Sequence, residues 1–413
     1  MSERILSPGV FSRENDLSFI TPAAGEISTA LVGPTTKGPQ DIPTVIRSYG
    51  EYLNVFGGAF KSGSDYYTHY TALAAEKYFE QGGSSLLVAR VSNQTFGAAT
   101  STIYSGSTAW VTLSTIAEGT IMNNSGSAGS NNSLVSGSAD NLRWEITSKN
   151  VTQGTFSLVI RRGDDNQKNK IILESYTNLS LDPKSPNYIA KAIGDQYRTN
   201  AAGSVTVNGE YPNVSKYVYI SSVDNKTPDF FDNNGVAKAA FSASFAALPI
   251  GSGSLNGAFS AGSGTLFQAS YDAQFVNLSA NDTQGIAPST AYDTIITTLA
   301  NRDEYRFNVL VTPGLTKDLH SSQVTQFIDL VETRGDALYV VDPVGYGGST
   351  TTATTQAGGM NSSFAAAYWP WVKVSNNELG KNVWAPASTV MGGVFAFNDR
   401  VGAEWFAPAG LLR

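Results

Sequence analysis

"FNVLVTPGLTKDLHSSQVTQFIDLVETRGDALYVVDPVG" occupies residues 307–345. Its two ends, "FNVLVTPG" (307–314) and "DALYVVDPVG" (336–345), are short unbroken apolar runs. A strand that meets solvent on one face alternates apolar with polar residues; a run such as Phe307 to Val311 fits a strand buried on both faces. Between them, "SSQVTQFIDLVETRG" (321–335) places Val324, Phe327, Ile328 and Val331 on one side of a helix that ends at Gly335. Strand, crossover helix and strand at this length predict a parallel pair with a right-handed connection. A further helix is expected over "AYDTIITTLANRDEY" (291–305).

The same grammar governs the N-terminal part. "STALVGPTTKGP" (28–39) reads as a buried strand closed by Gly33-Pro34. "PTVIRSYGEYLNVFGG" (43–58) gives a short strand and a helix near 49–56, stopped by Gly57-Gly58. "DYYTHYTALAAEKYFEQGG" (65–83) reads as a helix from Tyr66 to Phe79, with Tyr66, Tyr70, Leu73, Ala74 and Tyr78 at helical spacing. "SSLLVARV" (84–91) returns as a strand.

Residues 93–284 change character. Gly, Ser, Asn and Thr cluster in "NNSGSAGSNNSLVSGSADN" (123–141) and "GSGSLNGAFSAGSGT" (251–265). Strands are expected at 142–146, 156–161, 171–173 and 216–221, with one short helix at 187–195. The expected fold class is an α/β core, a mixed sheet with flanking helices, interrupted by a β-rich insertion domain and preceded by an extended N-terminal arm. The arm is assigned to 1–20, the core to 21–92 plus 285–413, and the insertion to 93–284.

Composition excludes several functions. Charged residues make up 15% of the 413 and the formal net charge is -7. No Lys/Arg stripe exists, and Arg161-Arg162 is followed at once by Asp164-Asp165, so direct nucleic-acid binding is not expected. The chain has no cysteine, which removes disulfides and thiolate metal sites. The N-terminus "MSERILSPGV" is charged from the start, so no secretory leader is expected. No run approaches the roughly 18 apolar residues of a membrane helix, and no membrane insertion is expected.

Catalytic patterns are weak. The two histidines, His69 and His320, stand in no metal-binding or nucleophile-activating motif. His69 reads as a packed or surface residue of the Tyr-rich helix, and His320 as a cap or surface residue. "GDDNQKN" (163–169) lacks the alternating acids and closing Glu of a calcium loop and reads as a charged hairpin turn. Arg162-Gly163-Asp164 is an integrin-type tripeptide in a place where a turn wants Gly-Asp anyway. No cofactor is expected. The 19 Tyr and 6 Trp suit packing, protein contacts or an aromatic sugar-binding face.

Both ends ask for partners. "ILSPGVFSRENDLSFI" (5–20) cannot fold alone, and Pro8 forces extended geometry on Ser7. Ile5, Leu6, Pro8, Gly9, Val10, Phe11 and Leu17 are the candidate contacts of an arm laid as a strand on its own body or on another subunit's sheet edge. The end "EWFAPAGLLR" (404–413) carries Trp405, Phe406, Pro408, Leu411 and Leu412. Its four large apolar side chains would each gain about 1.5–3 kcal/mol on burial, so a cover is expected, either from the 291–341 region or from further chain.

Four segments, in order, resemble the contractile tail sheath proteins of bacteriophages and related injection systems. They are "LSPGVFSRENDLS" (6–18) with "ALVGPTTKGPQDIPTVIRSYGEYLNVFGG" (30–58), "FSLVIRRGDDNQKNKIILESYTNLSLDPKSPNYIAKAIGD" (156–195), the paired strands 307–345, and "SSFAAAYWPWVKV…WAPASTVMGGVFAFNDRVGAEWFAPAG" (362–410). The resemblance implies a non-enzymatic structural subunit that polymerises with itself around an inner tail tube protein. Baseplate and tail terminator proteins would complete the tail. Contraction would drive the tube through an envelope and permit genome ejection. The implied location is the virion tail, assembled in a host cytoplasm. In the family the Ala-Pro-Ala-Gly segment lies mid-chain, so Trp405, Phe406, Pro408, Leu411 and Leu412 are expected at the junction to a C-terminal domain beyond it. The competing readings are a β-rich adhesin or carbohydrate-binding surface protein, and a hydrolase using His69 or His320.

Overall fold

In the computed structural model the described residues are 29–62, 65–92, 97–118, 129–134, 139–248, 257–258 and 278–402. The arm and the terminal segment 403–413 lie outside them, as do most of the two Gly/Ser-rich loops.

A six-stranded sheet organises the α/β part, in the order Ala365–Ala367, Leu338–Asp342, Val309–Thr316, Thr29–Gly33, Leu86–Arg90, Thr44–Ile46. The first five run parallel, and Thr44–Ile46 pairs antiparallel with Leu86–Arg90. Leu31 stands opposite both Val311 and Val88. Because successive side chains leave a strand on opposite faces, each apolar run serves two cores. Ala30, Val32, Leu87, Ala89, Leu310, Tyr339 and Val341 meet Tyr292, Ile295, Phe327 and Val331 on one face. Leu31, Leu86, Val88, Val311 and Val340 meet Tyr52, Phe56, Ala72, Ala75, Tyr78 and Met391 on the other. The mixed sheet with helices on both faces is therefore the expected α/β core.

Local signals set the helices. Tyr49–Phe56 starts at Ser48, whose Oγ accepts from the Glu51 N–H at 3.1 Å, while Glu51 reaches back to the Arg47 N–H at 2.7 Å. Ser321–Arg334 ends at Gly335, which is left-handed at φ +71 and donates to the Val331 carbonyl. The helices Tyr70–Glu80 and Ser388–Val401 pack closely, and Gly393 is what permits it. A Cβ there would stand 2.8 Å from the Lys77 carbonyl.

Some expectations need correction. The Tyr-rich helix starts at Tyr70, not Tyr66. Asp65–Tyr67 is a strand paired with Phe60–Ser62. Period-two placement wins there: Tyr66 is exposed, and Tyr67 is buried against the Phe60 ring at 5.9 Å. The strand expected at 171–173 runs as Ile172–Ser180. Strands Ala98–Ser105 and Thr108–Glu118, and the hairpin Tyr197–Ala201 with Ser204–Asn208, went unread because Ser, Thr and Asn interrupt their apolar pattern. So did the short helix Ala239–Phe245.

The β-rich stretch supports its own core. Strands Leu142–Asn150, Thr155–Arg162 and Ile172–Ser180 form one antiparallel sheet, joined by Gly257–Ala258. Ala98–Ser105, Thr108–Glu118 and Val218–Val223 form another. Trp110, Trp144, Leu158, Ile160, Ile189 and Phe245 are buried among them. This is the additional β-rich material the composition implied.

At the edge of that core lies a buried ionic knot. Arg143 and Arg161 lead the large side chains with under 2% exposure. Asp165 accepts from Arg161 Nε at 2.7 Å, from Arg161 Nη2 at 2.9 Å and from Arg143 Nη1 at 3.1 Å. Glu145 takes Arg161 Nη1 at 2.7 Å and Lys170 Nζ at 2.6 Å. The "GDDNQKN" stretch is thus a turn, but not merely a solvated one: Asp165 is 2% exposed and pairs with two arginines. Arg162 and Asp164 of the tripeptide fork onto each other at 2.6 and 3.0 Å.

Removing one partner of a buried ion pair strands the other charge, so Asp165→Ala should cost about 3–5 kcal/mol in urea unfolding. Arg162→Ala breaks a half-exposed pair and should cost under about 1 kcal/mol. Equal, small losses in the two variants would contradict the role given to Asp165.

Candidate functional site

In an open α/β sheet, ligands bind outside the carboxyl ends of the strands, where the strand order reverses. Here the chain moves from Thr29–Gly33 toward Leu86–Arg90 on one side, and from Val309–Thr316 toward Leu338–Asp342 on the other. The switch point is therefore between Thr29–Gly33 and Val309–Thr316.

That crevice is filled by the chain itself. Thr283 Oγ1 donates to the Gly314 carbonyl at 2.8 Å, and Gln284 Nε2 donates to the Pro313 carbonyl at 3.1 Å. Gly314 has φ +98, and a Cβ there would meet Gln284 Nε2 at 2.4 Å. Gln284 Oε1 accepts from the Tyr70 N–H at 2.8 Å, at the start of helix Tyr70–Glu80. A helix N-terminus is a ready anion site; this one holds a side-chain amide. The neighbouring N-terminus, that of Ser388–Val401, holds Asp342, which accepts from the Ser388 N–H at 3.0 Å and from Ser388 Oγ at 2.5 Å. Burial pushes the Asp342 carboxyl up to about 7, against the pull of these hydrogen bonds.

Both histidines belong to this plug. His320 Nδ1 accepts from the Thr316 N–H at 3.1 Å, so Nε2 carries the proton and donates to the Ser279 carbonyl at 2.8 Å. The ring is 1% exposed, which corrects the surface reading; burial holds its pKa below the usual value. His69 packs on the Phe60 ring at 5.0 Å and hydrogen-bonds Gln284. Burial, then the Arg90 charge, brings it down to about 3. The histidines are held in the fold as neutral rings that fix segment 279–284.

A second concavity, about 510 Å³, opens beside Thr44–Ile46 and is lined by Ile42, Val55, Ile116, Tyr197, Tyr219 and Glu118 among others. One of these residues, Glu118, belongs to a brace of hydrogen bonds. Glu118 accepts from the Gln40 N–H at 3.0 Å, and Arg90 Nη1 donates to the Gly38 carbonyl at 2.6 Å and to that of Glu118. Asn200 Nδ2 donates to the Asp41 carbonyl at 2.6 Å and to Thr298 Oγ1 at 2.9 Å. Burial raises Asp41 to about 6 and also raises Glu118.

The arm contacts Ile5, Leu6, Pro8, Gly9, Val10, Phe11 and Leu17 lie outside the described residues, as do Trp405, Phe406, Pro408, Leu411 and Leu412. Among the described residues, no three His, Asp or Glu side chains form a group that could hold a metal ion. No described helix is long and apolar enough to cross a membrane. Sequence reasoning missed Gln284, Asp342 and Ser388. Only Asp342 left a signal, as an acid closing the apolar run "LYVVDP" (338–343).

No protein-family model and no curated protein matches this sequence. Among solved structures, a sheath tail protein from Desulfitobacterium hafniense is similar at 12% identity and TM-score 0.42, over 94% of this chain and 62% of that one. A sheath tail protein from Listeria innocua is similar at 11% identity and TM-score 0.45, over 91% of this chain and 57% of that one. The chain thus spans about three fifths of the length of these structures.

The Asp342 shift fixes a sign. Its folded pKa lies above the unfolded value near 3.9, so its contribution is present below about 4 and is lost as pH rises through about 7. His69 does the reverse: its contribution is present above about 6.5 and is lost as pH falls toward 3. Asp342→Asn keeps an acceptor for Ser388 and removes only the first dependence. Relative to the parent it should gain stability as pH rises from about 4 to about 7, by at most about 1.4 kcal/mol per unit, and then level off. A pH-independent difference in urea midpoints would refute the buried, proton-holding carboxyl.

Proposed function

We infer that this chain is a structural subunit of a contractile tail sheath. The observation that carries the reading is the order of the four sequence segments, at 6–58, 156–195, 307–345 and 362–410, which together resemble that family and no enzyme. Two features support it. The strand-end crevice, where α/β enzymes keep their ligands, is given over to Thr283, Gln284 and Asp342. The sparse charge, 15% of residues, suits surfaces that are to be covered by other subunits.

In this reading the subunit polymerises with itself in rings or helical strands around an inner tube, between a baseplate and a tail terminator. The arm 1–20 adds a strand to a neighbour's sheet, so main-chain hydrogen bonds tie the lattice while the linker permits rotation. Contraction is a switch between two packings of the same subunits, and it drives the tube through a target envelope. The core is 21–92 with 285–413, and 93–284 faces outward, where long neutral loops are tolerated. Trp405, Phe406, Pro408, Leu411 and Leu412 form the passage to a C-terminal domain. Assembly takes place in the host cytoplasm and the product resides in the virion tail.

Deleting residues 2–18 should leave a body with the parent's melting temperature that forms no tubes in negative-stain electron microscopy. Tubes of parental appearance from the deletion would sink the arm's role. Limited proteolysis of assembled particles should cut first within 123–141 and 251–265; protection of both loops would overturn the outward placement.

A further inference from the structure

The fold treats the two arginines of the buried knot differently. Arg143 and Arg161 stand opposite each other on the neighbouring strands Leu142–Asn150 and Thr155–Arg162, and both are 0% exposed. Arg161 lays its Nε–Nη2 edge on Asp165 as a fork, at 2.7 and 2.9 Å. Arg143 bonds through Nη1 alone. That nitrogen donates to the Asn132 carbonyl at 2.6 Å, to Asp165 Oδ1 at 3.1 Å and to the Asp165 carbonyl at 3.4 Å. Its Nε and Nη2 are buried and meet no hydrogen-bond acceptor among the described residues. Asn132, in contact with this guanidinium, is 6% exposed, and its side-chain amide also has no partner there.

The acceptors nearby are already committed. Asp165 Oδ2 takes the Ile171 N–H at 3.1 Å besides Arg161, and Glu145 gives one oxygen to Arg161 and the other to Lys170. The charges that meet here are Arg143, Arg161 and Lys170 against Glu145 and Asp165. Arg162 and Asp164 pair with each other outside the knot. Three cations therefore face two carboxylates. Burial, then the Arg161 charge, pushes Arg143 below the usual guanidinium range, yet a guanidinium keeps its proton. An unmet buried donor is destabilising, and more so when it carries charge.

We propose that the Nε–Nη2 edge of Arg143 is a buried site for one small anion, of chloride or formate size. Two N–H groups on one edge of a planar guanidinium are the arrangement that grips an anion, as Asp165 demonstrates on Arg161. A water molecule would accept from the edge but leave the excess positive charge standing; an anion meets both needs. Neither nitrogen of the edge reaches solvent, which limits the occupant to a few atoms. The site lies in the β-rich part and does not depend on the sheath reading.

The test is the melting temperature of the purified 413-residue chain at fixed pH and ionic strength, as sodium gluconate, too bulky for the site, is replaced stepwise by sodium chloride or sodium formate. An anion that binds only the folded state raises the melting temperature with the logarithm of its concentration. The parent should show this rise with at least one of the two. Arg143→Lys keeps the charge but has no fork, so the rise should vanish. Arg162→Lys, in the outer pair, should keep it. If Arg143→Lys does not fold, the parent decides alone: crystals grown in bromide should show anomalous density within hydrogen-bond reach of Arg143 Nε and Nη2. Equal melting temperatures in the three salts, an unchanged rise in Arg143→Lys, or no bromide at the fork overturns the site. Bromide in the crystal without a rise in solution marks an adventitious ion only and overturns it as well.

Discussion

Burial of the Thr29–Gly33 strand on both faces is the constraint from which the rest follows. All five of its residues are buried, with a parallel neighbour on each side. No polar side chain can reach water from such a position, so alternate residues must feed two separate cores. The helices on either face supply them, and Tyr70–Glu80 and Ser388–Val401 approach closely enough that Gly393 has no room for a methyl group.

The same geometry creates a problem at the strand ends. Parallel strands and their helices bring helix N-termini together at one place, with backbone N–H groups that need acceptors. This chain supplies Gln284 to one terminus and Asp342 to the other, and seats two neutral histidines around the returning segment 279–284. Gln284, Asp342 and both histidines are thus committed to closing the sheet. Asp342 is costly to bury as a charge, which is why it holds a proton up to about 7.

Charge is distributed unevenly. In the β-rich part, Arg143, Arg161, Asp165 and Glu145 are sunk in the fold, while the outer rim of the α/β sheet carries no charge from 344 to 371. A buried pair fixes geometry because either partner alone is expensive.

The sequence by itself determined the elements whose pattern is local. The unbroken apolar runs 309–311, 338–341 and 86–88 read as strands, and Gly57 and Gly335 end their helices where they stand. The β-rich character of the middle was legible in its composition. Only the tertiary structure decided what depends on distant partners. Tyr66 and Tyr67 fit a helix by spacing, yet the Phe60 ring and the Phe60–Ser62 strand draw them into a hairpin. Asp165 reads as a surface acid until two arginines from neighbouring strands enclose it. Gln284 carries no sequence signal, because what makes it a plug is the Tyr70 N–H, 214 positions away along the chain. Periodicity records which face of an element is apolar; it does not record which remote backbone group comes to rest against it.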